Sequence, residues 1–195
     1  KEKADLYIQL VKELDLRLVQ TIDTHTHADH ITAAGYLQQQ TGSQIVMGAP
    51  SQAEYVSCRV QDGEILTIDG IQLQALYTPG HTDDSFSFVM DQCVFTGDTL
   101  MIRSTGRTDF QNGDPYAQYD SLFKKLLKLP DETKVYPAHD YKGMTVSTIG
   151  EEKRWNPRLK ARSVDEYVDM MNQLNLPKPK LMDIAIPTNL KCGLS

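Results

Sequence analysis

The chain has 195 residues and a formal net charge of −6, with 40% hydrophobic and 24% charged residues. This length suffices to bury a sizeable core, and the composition is ordinary for a globular protein. The acidic balance argues against nucleic-acid binding, which needs a clustered basic face. Three widely spaced cysteines fit a reducing compartment without a disulfide framework. No apolar run approaches the roughly 20 residues that span a bilayer.

The first part of the chain alternates helix and strand patterns. Apolar residues recur at helical spacing over 3–14, which predicts an amphipathic helix. A β-rich segment over 16–24 ends at the first histidine, His25, and a second helix is predicted over 31–41. Residues 44–48 have the pattern of a short apolar strand. Because the chain starts without Met inside a charged helical pattern, we expect that an N-terminal piece precedes it.

Strand patterns fill the middle of the chain. Two of them, 64–68 and 71–76, flank Asp69-Gly70, a dipeptide typical of a tight hairpin turn. A second strand pair is predicted over 85–90 and 93–96. Two of these strands run out just before a candidate ligand, which is how a rigid sheet presents functional residues on loops.

Helix patterns dominate the last part. A loop over 104–115, rich in Gly, Asp and Asn, precedes a predicted helix over 116–129 and a short strand over 134–136. Two further helices are predicted near 147–154 and 163–174, and the Pro-containing tail beyond them is predicted to be irregular. Together these patterns indicate an α/β protein with sheets covered by helices.

All five histidines fall in three short segments, each after a predicted strand. The candidate ligands are His25, His27, Asp29 and His30 in the first segment, His81 in the second, His139 in the third, and Asp98 after the strand at 93–96. Neutral imidazole is a common metal ligand at physiological pH. A single histidine is more often a hydrogen-bonded core residue, but this grouping indicates a metalloenzyme. The spacing alone allows either one metal ion or two.

The order of these segments, from about residue 20 to His139, resembles the signature of the metallo-β-lactamase superfamily. The resemblance implies one catalytic domain over 1–195 with an αββα sandwich and a metal site at one edge, between the two sheets. Members usually begin with strands ahead of the first helix, so we expect those strands to lie outside this chain. The fold carries several chemistries and does not by itself settle the reaction.

The segments between and beyond the ligands resemble the persulfide dioxygenase family, the sulfur dioxygenases similar to the ethylmalonic encephalopathy protein. They are residues 97–103, 106–111, 136–143, 147–149, 151–152, 156–159 and 189–193. Within that family, the sequence of residues 80–85 is most similar to the bacterial β-lactamase-like hydrolase branch.

This resemblance implies one Fe(II) ion per chain, bound by His25, His81 and Asp98. Two histidines and a carboxylate on one face of the metal are the ligands of non-haem Fe(II) oxygenases. The remaining members of the grouping would orient the ligands and hold water by hydrogen bonds, and they are His27, Asp29, His30 and His139. The implied reaction is glutathione persulfide with O₂ and water giving sulfite and glutathione.

Glutathione has two carboxylates, so its binding site needs fixed cations. Arg158 is the first candidate because a guanidinium grips a carboxylate through two hydrogen bonds. The resemblance implies that Tyr141 bonds the peptide portion. Two alternative roles are open for Arg107, a substrate contact or a structural ion pair with Asp109.

A second reading is a glyoxalase II-type thioester hydrolase with two metal ions and a metal-bound hydroxide. A third is a metal-binding or redox-sensing module without catalysis, derived from a fusion with a sulfur-transferase domain. We expect a location in the bacterial cytoplasm, with the mitochondrial matrix as the alternative. The family resemblance also implies a homodimer and a functional link to a rhodanese or a sulfide:quinone reductase.

Overall fold

A computed structural model describes residues 1–194, which form two compact units. The first unit consists of Lys1–Val60 and the C-terminal residues from Leu176, and the second consists of Gln61–Asn175. No helix within residues 1–194 is long and apolar enough to cross a membrane. The expectation that residues 1–195 act as one catalytic domain stays a prediction.

The first unit contains a small parallel sheet. Its helices are α1 (Ala4–Glu13), α2 (Ala34–Thr41) and α6 (Met182–Asn189), and its strands are β1 (Gln20–Ile22), β2 (Gln44–Gly48) and β3 (Cys58–Val60). The strands pair in the order β1-β2-β3, all in parallel. A parallel pair needs a crossover connection, which α2 supplies between β1 and β2. Strand β1 therefore ends where the first histidine segment begins.

Two elements of the first unit differ from the sequence predictions. The prediction of an irregular tail is wrong, because the tail contains α6. Pro187 lies inside that helix, and proline is ordinarily a helix-ending signal because it lacks an N–H donor. Burial of Ala185 and Asn189 holds the helix in place. Strand β3 was not predicted, since a strand of 3 residues is too short to show an alternating pattern.

The second unit contains a six-stranded sheet in the order β4-β5-β6-β7-β8-β9. Its strands are β4 (Ile65–Ile68), β5 (Ile71–Tyr77), β6 (Phe86–Met90), β7 (Cys93–Gly97), β8 (Lys134–Pro137) and β9 (Ser147–Thr148), and its α-helices are α3 (Pro115–Asp120), α4 (Ile149–Trp155) and α5 (Val164–Asn172). Neighbouring strands are antiparallel except β7 and β8. The predicted hairpin is confirmed, with Asp69 and Gly70 at φ values of 48° and 86° between β4 and β5.

The predicted helix over 116–129 is a continuous helical segment whose hydrogen-bond pattern changes along its length. Helix α3 begins after Asp114, whose side chain accepts the backbone N–H of Tyr116. The pattern then becomes a π-helix over Ser121–Lys125 and a 3₁₀-helix over Leu126–Lys128. Both of these parts contribute a fully buried leucine to the core, Leu122 in the π-helix and Leu126 in the 3₁₀-helix.

The core of the second unit lies between its sheet and its helices. Its fully buried members are Val94, Leu100, Leu122, Leu126, Val135, Ile149 and Tyr167. Val94 and Val135 are direct register partners on β7 and β8. Each large apolar side chain buried here stabilises the unit by about 1.5–3 kcal/mol. The core therefore fixes the two strands from which two of the ligand loops leave.

One buried carboxylate fastens α4 to the loop that follows β7. Glu152 is fully buried, forms an ion pair with the Arg103 guanidinium and accepts the Arg103 backbone N–H at 2.8 Å. Its other donors are Ser147 Oγ at 2.6 Å and Asn156 Nδ2 at 2.8 Å. A charge is tolerated in a protein interior only when it is paired and hydrogen-bonded in this way.

We expect Glu152→Ala to lower the free energy of unfolding by about 3–5 kcal/mol, because it leaves the partly buried Arg103 without its main counter-ion. Glu151→Ala is the matched control, since the Glu151 side chain is 46% exposed and also faces Arg103. Its effect should stay below about 1 kcal/mol. Urea unfolding of both variants measures the difference, and equal effects would contradict the assigned role.

Candidate metal centre

The sheet of the second unit brings three residues of the predicted metal-binding grouping to one edge. Strand β5 is antiparallel to β6, and β6 to β7, so β5 and β7 run in the same direction, and β8 runs parallel to β7. The carboxyl ends of these three strands therefore meet at one edge. The loops that leave there carry His81, Asp98 and His139.

The three side chains point at a common position. The distance from His81 Nε2 to Asp98 Oδ2 is 3.5 Å, and the distance from His139 Nε2 to the same oxygen is 3.7 Å. Only 13% of the His81 side chain and 12% of the Asp98 side chain are exposed. Two imidazole nitrogens and a carboxylate thus converge in a place with little access to water.

The tautomer of His81 follows from its second nitrogen. His81 Nδ1 lies 2.8 Å from the backbone carbonyl oxygen of Arg107. A carbonyl oxygen can only accept a hydrogen bond, so Nδ1 carries a proton, and in the neutral ring Nε2 presents the lone pair. A ligand histidine typically has its other nitrogen fixed by such a bond. The contact therefore selects the neutral tautomer that binds a metal through Nε2.

These atoms fit a bound cation. In the neutral ring with its proton on Nδ1, the Nε2 lone pair of His81 faces a carboxylate oxygen of Asp98 at 3.5 Å. Asp98 Oδ1 is buried and has no hydrogen-bond partner within residues 1–194. Buried polar atoms are almost always satisfied, so an unpaired carboxylate oxygen is consistent with a place for a bound ion or water. Imidazole and carboxylate donors together suit Zn, Fe and related transition metals.

Gly106 locks the two ligand loops together. Its backbone N–H donates to the Asp98 carbonyl oxygen at 2.7 Å. A Cβ on Gly106 would lie 2.3 Å from that oxygen and 2.8 Å from His81 Nδ1. Real side chains never approach so closely, so only glycine permits this contact.

The first unit holds the other predicted residues on the loop after β1. His25 is buried and its Nδ1 lies 3.0 Å from Thr24 Oγ1. The His27 ring stands 4.2 Å from the His25 ring and 4.4 Å from the His30 ring, measured between centroids. His30 Nδ1 lies 3.2 Å from Asp29 Oδ1, and this hydrogen bond raises the pKa of His30. Ligand atoms of His27, Asp29 and His30 all lie within 4.8 Å of one another.

Asn189, at the end of α6, fixes the shape of this histidine loop. It is buried, and its Nδ2 donates to the carbonyl oxygens of His27 at 2.9 Å and His30 at 2.8 Å. Its Oδ1 accepts the Thr32 backbone N–H at 3.0 Å. Asn189 lies within one of the segments that resemble the dioxygenase family, but no role was predicted for it. No local signal could have revealed these bonds, because the partners lie more than 150 positions away in the chain.

The residues predicted to bind substrate all belong to the second unit. The Tyr141 ring stacks on the His139 ring at 5.5 Å and is 77% exposed. The Arg158 guanidinium is partly buried, and its Nη1 lies 3.1 Å from Met171 Sδ. Burial lowers the pKa of Arg158. Within residues 1–194 no carboxylate pairs with Arg158, and its substrate contact stays a prediction.

Arg107 forms the ion pair with Asp109 that was one of the two roles predicted for it. Its Nε donates to Asp109 Oδ1 at 2.6 Å and its Nη2 to Oδ2 at 2.7 Å. The pair raises the pKa of Arg107 and lowers that of Asp109. The guanidinium also lies 4.5 Å from the centre of the Phe110 ring. A substrate contact by the same side chain stays a prediction.

Comparisons with known proteins identify the scaffold. Residues 3–139 match the sequence profile of the metallo-beta-lactamase superfamily. The chain is 44% identical to the mitochondrial persulfide dioxygenase ETHE1 of Homo sapiens over 99% of its own length and 76% of that protein. The crystal structure of ETHE1 from Myxococcus xanthus superposes with a TM-score of 0.97 at 50% identity, over 99% of this chain and 85% of that one. The predicted fold and family resemblance are confirmed.

A hydrolase is also similar to the chain, at a lower level. The hydroxyacylglutathione hydrolase GloC of Haemophilus influenzae is 35% identical over 83% of this chain and 85% of that protein. The 44% identity to human ETHE1 extends over 99% of the chain. The dioxygenase likeness is therefore both higher in identity and longer.

We expect Asn189→Ala to lower the free energy of unfolding by about 3 kcal/mol, since each buried group left without a partner costs about 1–3 kcal/mol. The variant removes the hydrogen bonds that Asn189 makes to two carbonyl oxygens and one N–H of the histidine loop. Asn175→Ala, at an exposed position, is the control and should change stability by less than about 0.5 kcal/mol. Urea unfolding checks both, and a small effect of Asn189→Ala would mean that the loop holds its shape alone.

Proposed function

The chain belongs to the persulfide dioxygenase family of the metallo-β-lactamase superfamily, and from this membership we propose that it is an iron(II) enzyme acting on glutathione persulfide. The reaction consumes glutathione persulfide, O₂ and water and yields glutathione and sulfite. The observation that carries the proposal is the likeness to ETHE1, which extends over 99% of the chain in both sequence and structure.

The proposed ligands of a single iron ion are His25, His81 and Asp98. Two histidines and one carboxylate leave coordination positions free for substrate and O₂. The lone pair on His81 Nε2 and the unpaired Asp98 Oδ1 support this assignment. Bound there, iron supplies the redox chemistry that O₂ requires and that zinc, which has no redox states, does not offer.

The other residues of the grouping support the ligands in this proposal. His27, Asp29, His30 and His139 are assigned to orienting the ligands and to holding water by hydrogen bonds. Such partners strengthen a site by fixing which nitrogen of each histidine carries the proton. The bond from His81 Nδ1 to the Arg107 carbonyl oxygen does the same for a proposed ligand.

Arg158 is proposed to bind a carboxylate of the glutathione portion. Its guanidinium is partly desolvated and its one hydrogen-bond acceptor within residues 1–194 is the Met171 thioether, a weak acceptor. Such a cation gains most from an incoming carboxylate, because a charge-assisted bond replaces a weak one. Tyr141, exposed beside His139, is proposed to bond the peptide portion.

The second candidate is hydrolysis of glutathione thioesters by two metal ions. It is favoured by the similarity to GloC and by the position of His139, whose Nε2 lies 3.7 Å from Asp98 Oδ2. In that reaction the metal pair would supply a bound hydroxide that attacks the thioester carbonyl. Both candidates bind glutathione, so substrate binding alone does not separate them.

The oligomeric state, the functional partners and the location of the enzyme belong to the same proposal. We propose a homodimer and a functional link to a rhodanese or a sulfide:quinone reductase that supplies persulfide. Both come from the family resemblance. The location is proposed to be the bacterial cytoplasm, with the mitochondrial matrix as the alternative, since both fit the cysteine usage.

Metal content and oxygen uptake test the proposed function together. Protein purified without oxygen is analysed for metals by mass spectrometry, and O₂ consumption is recorded after addition of glutathione persulfide. We expect one iron per chain, uptake of O₂ and release of sulfite. Two metal ions per chain, no uptake and hydrolysis of a glutathione thioester would establish the hydrolase instead.

We expect Asp98→Asn to lose iron, because the substitution removes the negative charge that balances the cation. The control is Asp69→Asn, which removes the same charge from the exposed hairpin turn, where asparagine accepts the φ of 48°. Metal analysis after identical loading compares the two variants. Full iron occupancy in Asp98→Asn would remove Asp98 from the ligand set.

We expect Arg158→Ala to raise the Michaelis constant for glutathione persulfide by about 10- to 100-fold, the equivalent of a charged hydrogen bond worth about 1.5–3 kcal/mol. Turnover at saturation should change much less, because the contact binds substrate and transition state alike. Arg162→Ala, at an exposed position, serves as the control. A fall in turnover with an unchanged Michaelis constant would place Arg158 at the reacting sulfur.

A further inference from the structure

We infer that Gln118 is a positioning residue for the metal centre and that it holds the loops of His81 and Asp98 in place. The inference rests on the proposed function in that these two side chains are taken as metal ligands. Gln118 lies on α3 and is fully buried. Its effect is transmitted through two glycines.

The first connection runs through the side-chain amide. Tyr167 donates its hydroxyl hydrogen to Gln118 Oε1 at 2.8 Å. This bond fixes the orientation of the amide, so that Gln118 Nε2 donates to the Gly106 carbonyl oxygen at 3.1 Å. Gly106 in turn donates its N–H to the Asp98 carbonyl oxygen and lies against the His81 ring. The Gln118 amide thus fixes the position of Gly106, which contacts the Asp98 backbone and the His81 ring.

The second connection runs through the backbone of α3. A Cβ on Gly80 would lie 2.3–2.4 Å from the Cβ, Cα and N of Gln118. Gly80 has a φ of +132° and directly precedes His81. Its carbonyl oxygen accepts the backbone N–H of Asp114, the residue that caps α3. The helix therefore holds the backbone of the His81 loop while the Gln118 side chain holds the Asp98 loop.

Tyr167 keeps this arrangement constant over the working pH range. It is fully buried on α5, and burial raises its pKa to about 12. The hydroxyl therefore remains protonated and remains a donor at any pH near neutrality. Its ring packs edge-on against Tyr119 and Phe123, which follow Gln118 along the same helical segment. The donor that orients the amide is itself held by the core.

Two variants separate positioning from simple packing. Gln118→Met keeps the length of the side chain, removes the donor to the Gly106 carbonyl oxygen and adds no charge. Gln118→Glu keeps the shape but replaces the donor by a carboxylate oxygen. Gln74→Glu makes the same change at an exposed position on β5 and is the matched control.

Cobalt(II) is the probe, because its visible absorption reports ligand geometry without any turnover. Each protein is first confirmed to be folded by circular dichroism and thermal unfolding, and is then titrated with cobalt(II). We expect the dissociation constant of the Gln118 variants to rise about 10- to 100-fold, the range typical of lost support around metal ligands. Their absorption bands at saturation should also shift, while Gln74→Glu matches the wild type.

A folded Gln118→Met protein with wild-type cobalt affinity and spectrum would overturn the inference, even if its melting temperature fell. Should neither Gln118 variant fold, Tyr167→Phe removes the hydroxyl that orients the amide and leaves α3 untouched. Its cobalt dissociation constant should rise in the same direction by about threefold or more, and an unchanged value would also overturn the inference. Failure of the wild-type chain to bind any metal would instead overturn the proposed function, and this inference with it.

Discussion

The contact between His81 and Asp98 is the constraint on which the rest of the site depends. His81 Nδ1 donates to the Arg107 carbonyl oxygen, so in the neutral ring the Nε2 lone pair faces a carboxylate oxygen of Asp98 at 3.5 Å. A cation between these two donors is attracted by both, and the attraction is strong where water has little access. Metal binding at such a site adds its free energy to the stability of the fold. The nearby contacts hold the two donors at this separation.

Contacts to the backbone hold the ligand loops in place. Gly106 joins the backbone of Asp98 to the His81 ring with no side chain between them. Further along the same loop, Glu152 fixes Arg103 through an ion pair and a backbone hydrogen bond. In the first unit, Asn189 holds the histidine loop by hydrogen bonds to two of its backbone carbonyl oxygens. A loop tied at several backbone atoms keeps its ligands in place, which is the preorganisation that a metal site requires.

Local patterns were enough to predict most elements and the ligand segments. The hairpin at Asp69-Gly70 and the strands that end before His81 and Asp98 follow from turn chemistry and hydrophobic alternation over a few residues. Helix α6 was missed because Pro187 is a breaking signal that burial overrides. The roles of Asn189 and Gln118 were also missed, since they exist only between segments far apart in sequence. A buried amide has no periodicity, so only the folded chain reveals its partners.

The two arginines near the loops illustrate how a neighbour decides what a cation can do. Arg107 is two residues from Asp109 and is held by both of its carboxylate oxygens, so its charge is already neutralised. Arg158 has a thioether in the corresponding place, and burial has removed much of its water. A glutathione carboxylate would have to displace Asp109 from Arg107 but only a weak acceptor from Arg158. This difference in competing partners supports the proposal that Arg158, rather than Arg107, binds an anionic group of the substrate.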